Sequence, residues 1–371
     1  MIKIADCIKV EALTQHVPGK LHHAHCSGIV VFPDGELLAV YFHAITEAHH
    51  DQKIYGTRRM PGEDKWSKPF VIRNFKLGMA GNPVVWIAPD TGRLWLFYVI
   101  SIGGWSVCNP RCTYSDDRGK TWSKSKALYW FISRGTKNPP VLKEKEPGKG
   151  WYVLPAYIEF RDYFGVFYVS EDQGKKWTEY GRVKIPDDEI PEGKKWGRLV
   201  EQPTVVERED GSLWALMRTE RPIGKMYQTE SFDGGLTWSP AKPYFLPNPG
   251  GGFLMRRLQS GNLGIIYNHA PVPPDHGLER NPLSVAISED EGKTWKYRRN
   301  IMEAQGDQVH QRIGQYPTMM QGADGTIHAT WSFSHPEMID GVEKNITDIN
   351  YTSFTEKWVK EHEFFEEPFE L

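Results

Sequence analysis

The sequence predicts an all-β fold, specifically a six-bladed β-propeller with four antiparallel strands in each blade. Two repeated patterns support this prediction, and the first is an eight-residue motif. Its four copies begin at Ser115, Ser170, Ser231 and Ser288, so that successive copies are 55, 61 and 57 residues apart. A regular spacing of this length indicates a repeated supersecondary unit.

The motif reads S-D-D-R-G-K-T-W in its first copy and S-E-D-E-G-K-T-W in its last copy. Its central Asp can accept backbone N–H groups across a tight turn, and its Gly permits a positive φ. The final Trp can pack under the neighbouring hairpin. The motif therefore predicts a β-turn, here called the Asp box, and it indicates a fold rather than a reaction.

The number of units follows from the turns that end in Trp. These residues are Trp66, Trp122, Trp177, Trp238, Trp295 and Trp358. The first and last of the six turns lack the complete Asp box, as terminal repeats often do.

The second pattern is a short turn between two apolar runs. It occurs at Asp34-Gly35, Thr91-Gly92, 148–150, Asp210-Gly211, Ser260-Gly261 and Asp324-Gly325. Runs rich in β-branched and aromatic residues around such turns predict β-hairpins. Each unit is therefore expected to contain two hairpins. A terminal segment should close the ring, either residues 2–10 or residues 363–371, and the sequence leaves both open.

A length of 371 residues would suit two or three domains, but the regular repeat predicts one domain over residues 1–371. Its 39% hydrophobic and 13% aromatic residues are ample for a core. The net charge of −2 argues against nucleic-acid or membrane partners. Four cysteines without a C-x-x-C pair are expected to be reduced thiols. The N-terminus lacks signal-peptide features, so a cytoplasmic location is expected. Histidine spacing does not favour zinc, and we predict neither metal nor cofactor.

Candidate site positions follow from the blade pattern. The loops that lead into each first strand and leave each second strand lie on one face of a propeller, opposite the Asp boxes. The starts of the first strands give His25, Asn82, Asn138, Gln202, Phe253 and Tyr316. The ends of the second strands give His43, Tyr98, Glu159, Arg218, His269 and Trp331. The following loops add Glu47, His49, His50, Asp51, Arg161 and Arg280. Imidazole, guanidinium, amide and aromatic groups suit the binding of acidic sugars.

Three of these positions lie in longer stretches that resemble a known family. V-V-E-R-E-D-G-S-L-W-A-L-M-R ends at Arg218, E-R-N-P-L-S-V-A-I-S contains Arg280, and G-Q-Y-P-T-M-M-Q-G-A-D-G-T-I contains Tyr316. With the Asp boxes, they resemble the sialidase (neuraminidase) superfamily, in its branch with Asp-box (BNR) repeats. The resemblance covers residues 21–358. It implies that Arg218 and Arg280 bind a substrate carboxylate and that Tyr316 is the nucleophile.

The chain departs from the family pattern at three places. His25 occupies the position of the first arginine in the family. The glutamate that polarises the tyrosine falls on Gln202, and Glu201 should face the other way unless a β-bulge intervenes. The acid/base aspartate has no clear equivalent, so Glu47, His49, His50 and Asp51 all stay open.

These residues predict a sialidase-like glycoside hydrolase that acts on a small glycoside of sialic or uronic acid. Catalysis is assigned to Tyr316 with His25, Glu47 or Asp51. Substrate binding is assigned to Arg218, Arg280, Gln202, Asn82, His269 and His49. One alternative is a lyase that uses His25 and Tyr316 for β-elimination at a uronic acid. The other is a sugar-binding propeller without turnover.

Overall fold

The computed structural model describes residues 2–6, 8–15, 17–160, 162–190, 200–220, 223–270, 280–305 and 311–361. Almost all regular structure in these residues is β. In chain order the strands are β1 (Ile2–Ile4), β2 (Glu11–Ala12), β3 (His23–Val31), β4 (Leu37–Ala44), β5 (Lys53–Arg59), β6 (Phe70–Arg73), β7 (Met79–Ile87), β8 (Leu94–Ser101), β9 (Asn109–Ser115), β10 (Lys126–Ala127), β11 (Arg134–Thr136), β12 (Val141–Leu142), β13 (Tyr152–Phe160), β14 (Asp162–Ser170), β15 (Thr178–Val183), β16 (Val200–Glu207), β17 (Leu213–Thr219), β18 (Lys225–Ser231), β19 (Lys242–Pro247), β20 (Leu254–Arg257), β21 (Leu263–Asn268), β22 (Leu283–Ser288), β23 (Tyr297–Ala304), β24 (Ile313–Gln321), β25 (Thr326–Ile339) and β26 (Val342–Thr355).

Helical structure in the described residues is confined to short segments. The 3₁₀ turns are Trp105–Val107 and Asp187–Glu189, and the α-helix is α1 (Glu356–Lys360). No helix in this part of the chain is long and apolar enough to cross a membrane.

The chain divides into two compact units. The first comprises residues 1–81 and 251–371, and the second comprises residues 82–250. The prediction of a single domain over residues 1–371 stays a prediction.

The second unit contains three sheets that follow one another in sequence. Their strand orders are β10-β9-β8-β7, then β11-β13-β14-β15 with β12 beside β13, then β16-β17-β18-β19. The middle and last sheets pack face to face through buried side chains such as Phe167, Val169, Val205 and Met217. Burying a side chain of this kind stabilises the fold by about 1.5–3 kcal/mol. Because both faces of these sheets are covered, their strands read as continuous apolar runs.

The first unit contains one five-stranded and one eight-stranded sheet. The five-stranded order is β1-β23-β22-β21-β20, and the eight-stranded order is β24-β25-β26-β3-β4-β5-β6 with β2 beside β26. A single parallel pair, Thr347 with His23, joins β26 to β3. Four sheets in the described residues therefore have the four or five strands of a single blade. The β-propeller arrangement is confirmed, but four separate blades are found where the sequence predicts six.

The Asp boxes lie where the sequence places them, between the third and fourth strands of their sheets. In the last copy, Asp290 accepts the Thr294 N–H at 2.8 Å, the Thr294 hydroxyl at 2.7 Å and the Ser288 hydroxyl at 2.8 Å. These hydrogen bonds lower the pKa of the Asp290 carboxyl, against the effect of its burial. The box is thus a local turn closed by its own polar groups.

The sixth Trp turn differs from the prediction. Trp358 lies in α1, where it packs against Phe354, and no strand follows it in the described residues. The neighbour of β26 is instead β2, with Glu11 opposite Tyr351. The N-terminal segment therefore supplies strands to both sheets of this unit, whereas residues 363–371 lie outside the described residues.

The hairpin β25–β26 is much longer than its counterparts. Each strand has 14 residues, and they pair without interruption from Thr326–Thr355 to Ile339–Val342. Its far half extends beyond the end of β24, which pairs with β25 only as far as Ser334.

We expect Asp290→Ala to lower the free energy of unfolding by about 1–3 kcal/mol, because it leaves the donors of Thr294 without their acceptor. Asp290→Asn is the matched control and should lose about half as much, since one oxygen is retained. Urea unfolding followed by Trp fluorescence measures both variants. Equal stability of wild type and Asp290→Ala would contradict this view of the Asp box.

Candidate functional site

A residue with left-handed backbone interrupts each of the strands β3, β7, β16 and β24, at three sites named from the sequence and at Cys26, which follows the fourth, His25. The φ angles are 51° at Cys26, 46° at Asn82, 50° at Gln202 and 50° at Tyr316. Pro follows the last three of them. Non-glycine residues avoid this conformation at a cost of about 1–2 kcal/mol, and such strain is concentrated at functional sites.

A β-bulge accompanies this conformation in three of the strands. The strand register shifts between His25 and Gly28, between Glu201 and Thr204, and between Gln315 and Thr318. A bulge places consecutive side chains on the same face of a sheet. Strict alternation therefore does not apply here.

In the second unit, the bulge brings both Glu201 and Gln202 to Arg218. The Arg218 guanidinium lies 3.3 Å from the Glu201 carboxylate and donates to the Gln202 amide oxygen at 3.2 Å. It also donates to Glu220 at 3.2 Å. The sequence allowed Glu201 to face the same way as Gln202 only if a β-bulge intervened, and the register shift between Glu201 and Thr204 is that bulge. The signal in the sequence is Pro203, which follows the left-handed residue.

Burial controls the ionisation of this group. Glu201 is 3% exposed, and burial raises the pKa of its carboxyl from 4.5 to about 8, with Arg218 opposing and Glu220 reinforcing the change. A carboxyl with this pKa can hold a proton near neutral pH and give it up to a stronger base. Such groups are common at functional sites.

Two buried asparagines of this unit, Asn138 and Asn82, donate hydrogen bonds to other protein groups. The Asn138 amide donates to the carbonyl of Pro203 at 2.9 Å and to that of Gln202 at 3.3 Å, which fixes the bulge. The Asn82 amide donates to the Tyr157 hydroxyl at 3.1 Å. Asn138 therefore supports the position of Gln202, and Asn82 has a protein partner of its own.

In the first unit, the structure brings together three residues predicted from the sequence. The rings of His25 and Tyr316 have centroids 4.5 Å apart and meet edge to face. The Arg280 guanidinium carbon lies 5.5 Å from the centre of the Tyr316 ring. The phenol ring of Tyr316 is thus adjacent to both an imidazole and a guanidinium in this unit.

Backbone and side-chain contacts hold Arg280. Its guanidinium donates to the amide oxygen of Gln315, and the Gln315 amide donates to the Ser334 hydroxyl at 2.9 Å. The buried Asn268 amide donates to the carbonyls of Arg280 and Gly314, each at 2.8 Å. Gln315 was not among the residues predicted from the sequence, although it precedes a left-handed residue as Glu201 does.

Aromatic side chains surround His25. The His25 ring centroid lies 5.6 Å from that of Phe42 and 5.4 Å from that of His23. Burial lowers the pKa of His23 to about 4, so this ring is neutral at physiological pH. The Cys26 N–H donates to the Ser332 hydroxyl at 3.2 Å, which holds the bulge beside His25.

The His269 ring nitrogens both contact protein groups. The Tyr267 hydroxyl lies 2.6 Å from Nδ1, and the Arg298 guanidinium contacts Nε2. Burial, assisted by Arg298, lowers the pKa of His269 to about 3. The ring is therefore neutral, and Arg298 uses the acceptor nitrogen that a substrate donor would need.

The first-blade loop presents the remaining candidates at the surface. His49 Nδ1 lies 2.5 Å from the Asp51 carboxylate, and the rings of His49 and His50 are 4.1 Å apart. Glu47 is half exposed and lies 4.0 Å from His23. This geometry does not single out one of these residues as the acid/base group. Arg161, another loop candidate from the sequence, lies outside the described residues. Across the described residues, no three His, Cys, Asp or Glu side chains are grouped as metal ligands would be.

The Asp boxes, the propeller arrangement and the Arg–Tyr pair define the class as a sialidase-like propeller with BNR repeats. The chain belongs to the BNR repeat-like domain family, which it matches over residues 35–329. No match is found among curated proteins.

Solved structures show the same fold at low identity. A Hadza microbial sialidase is 16% identical with a TM-score of 0.70, over 91% of this chain and 66% of its own. The intramolecular trans-sialidase of Ruminococcus gnavus is 15% identical with a TM-score of 0.66, over 91% and 95%. A protein of unknown function from Dyadobacter fermentans is 14% identical with a TM-score of 0.65, over 93% and 98%. At these identities the likeness establishes the fold.

Glu201→Gln should change how stability depends on pH. Because the pKa of Glu201 is raised in the folded state, its stabilising contribution is complete below about pH 4.5 and is lost as pH rises towards about 8. The glutamine variant lacks this loss, so its stability relative to wild type should rise across that range. Urea unfolding at several pH values measures the difference, and Glu209→Gln, at an exposed position in the same unit, is the control. A difference that does not vary with pH would contradict the raised pKa.

Proposed function

We propose that the protein is a six-bladed, sialidase-like glycoside hydrolase that acts on a sugar bearing a carboxylate, either a sialic or a uronic acid. The count of six treats the eight-stranded sheet as two blades, β24–β26 with β2 and β3–β6, because one parallel pair joins them. The six hairpin turns in the sequence support the same count.

The observation that carries the proposal is the contact of Tyr316 with both Arg280 and His25. A guanidinium binds carboxylates through paired, charge-assisted hydrogen bonds. A phenol beside it can stabilise positive charge at the anomeric carbon or attack that carbon. The imidazole of His25 is the kind of side chain that most often transfers protons in catalysis. Together these groups supply substrate recognition and acid–base chemistry at one place.

The roles follow from the side chains. Arg280 binds the carboxylate of the sugar, and Arg218 is the second proposed carboxylate ligand. Tyr316 acts at the anomeric carbon, and a first-blade group, His25, Glu47 or Asp51, transfers the proton. Gln202, Asn82, His269 and His49 stay proposed sugar contacts, of which His269 is the weakest because Arg298 contacts its acceptor nitrogen.

A lyase is the second candidate, and the edge contact between His25 and Tyr316 favours it. In β-elimination at a uronic acid, Arg280 would neutralise the carboxylate and make the adjacent C–H more acidic. His25 and Tyr316 could then remove that proton and protonate the leaving oxygen. The lyase product contains a conjugated double bond and the hydrolase product does not, so absorbance during turnover separates the two reactions. Binding of acidic sugars without either product would instead indicate a sugar-binding propeller.

Tyr316→Phe should reduce kcat on the best acidic glycoside by about 10²–10⁴-fold, because it removes only the hydroxyl and keeps the ring that packs on His25. A panel of chromogenic sialosides and uronides identifies the substrate and gives the rate. Near-UV circular dichroism checks that the variant is folded. Turnover at the wild-type rate would remove Tyr316 from the mechanism.

Arg280→Ala should raise KM or the Kd of an acidic sugar by about 10–100-fold, the value of one charged hydrogen-bonded pair. Arg280→Lys keeps the charge without the planar guanidinium, so its KM or Kd should lie between those of the wild type and Arg280→Ala. Arg218→Ala and the double variant complete a cycle in which non-additive losses indicate a shared carboxylate. If both single variants bind acidic sugars as wild type does, the carboxylate role is wrong.

A further inference from the structure

A buried carboxylate lies at the base of the long hairpin β25–β26. Asp348 accepts from Thr14 Oγ1 at 2.5 Å, from His22 Nε2 at 2.8 Å and from His335 Nε2 at 3.0 Å. The side chains of His22 and Asp348 are only 5% and 8% exposed. Despite its burial, hydrogen bonds from His22, His335 and Thr14 lower the pKa of Asp348. The carboxylate is therefore ionised and acts only as an acceptor.

The hydrogen bonds continue from Asp348 through His22 to His43. His22 Nδ1 lies 2.8 Å from His43 Nε2. Because Asp348 can only accept, His22 carries its proton on Nε2 when the ring is neutral, and its Nδ1 is then an acceptor. His43 must donate from Nε2, which leaves the lone pair of the His43 ring on Nδ1. The sequence separation of 326 residues between His22 and Asp348 is bridged by tertiary structure alone.

We propose that Asp348, His22 and His43 form a proton relay, and that Nδ1 of His43 is its outer, proton-exchanging end. This order of carboxylate, imidazole and reacting group is that of an acid–base triad, with a second imidazole as the last member. His43 ends this chain near the end of β4, and its side chain is partly exposed. The relay is separate from the contact between His25 and Tyr316.

The transfer balances in protons and charge. When Nδ1 of His43 accepts a proton, its Nε2 proton can move to Nδ1 of His22. His22 is then an imidazolium that donates to both Asp348 and His43, and the positive charge lies beside the carboxylate. The reverse movement returns the proton through Nδ1 of His43.

The charged surroundings favour a neutral resting state. Burial and His22 lower the pKa of His43 to about 4, Lys53 acts in the same direction, and Asp51 and Asp348 oppose it. The Tyr55 ring meets that of His43 edge to face. At neutral pH the His43 ring is therefore neutral, and the lone pair on its Nδ1 can accept a proton.

The role of this relay in turnover rests on the proposed function. His43 pairs with Ala24, and the preceding residue Phe42 pairs with His25, so His43 lies at the same end of the sheet as His25 but on the opposite face of β4. A glycosidase or lyase needs a proton-transfer group besides Tyr316, and the relay provides one from the first blade. On this view His43 joins His25, Glu47 and Asp51 as a candidate proton-transfer group, and His22 and Asp348 are positioning residues.

Histidine NMR on the full chain tests the proposed tautomers and hydrogen-bond directions of the relay without any substrate. Long-range ¹⁵N spectra report the tautomer of each of the 13 histidines, and His22→Gln and His43→Gln assign the two signals. We expect protonated Nε2 and bare Nδ1 in both rings at neutral pH. Asp348→Asn should shift the titration of His43 by at least half a pH unit. The control is Asp340→Asn, at the exposed tip of the same hairpin, which should leave it unchanged.

Kinetics on the best acidic glycoside test the role. His43→Gln, which leaves the bond from Asp348 to His22 intact, should lower kcat at least tenfold with little change in KM. Asp348→Asn should also move the acidic limb of the pH–rate profile, which a purely structural role would not do. Asp340→Asn should behave as wild type.

The outcomes separate the two proposals. A His22 ring protonated on Nδ1, or a His43 titration that ignores Asp348→Asn, overturns the relay even if acidic glycosides are hydrolysed. Unchanged kcat in His43→Gln on a substrate that needs Tyr316 also overturns it. If no acidic glycoside is turned over, the proposed function fails, and the NMR result still decides the relay.

Discussion

Each of the strands β3, β7, β16 and β24 is interrupted by one residue with left-handed backbone. The placement of the candidate catalytic side chains depends on these interruptions. At Gln202 and Tyr316 the following proline and the bulge bring two consecutive side chains to one face. An unbroken strand would turn Glu201 and Gln315 away from the arginines they now contact. The conformational cost is about 1–2 kcal/mol at each position, and the packed sheets on both sides hold it in place.

In each of the two units, an arginine contacts a glutamine at or beside the left-handed residue. In one, Arg218 contacts Gln202 and the buried acid Glu201; in the other, Arg280 contacts Gln315 and lies over Tyr316. Each guanidinium thus donates to a neutral amide beside the left-handed residue. Arg218 also contacts the carboxylates of Glu201 and Glu220, so the surroundings of the two arginines differ in charge.

The sequence predicted the hairpin turns and the Asp boxes because both depend on local residues, such as Asp290 with Thr294. It failed where distant segments decide the structure. β2 is two residues long and carries no periodic pattern, so its place beside β26 could not be foreseen. Glu201 was set aside because alternation assumes a regular strand, although Pro203 marks the irregularity. The bond from His22 to Asp348 joins opposite ends of the chain, which spacing does not encode.

The central claim is that Arg280 makes this a site for a sugar carboxylate. The most direct measurement is calorimetric binding of one acidic sugar and its methyl ester to the wild-type protein. The ester keeps the shape and hydroxyl groups of the sugar and removes its charge. We expect the acid to bind at least tenfold more tightly than the ester, and added salt to weaken this preference. Equal affinity for acid and ester would contradict it.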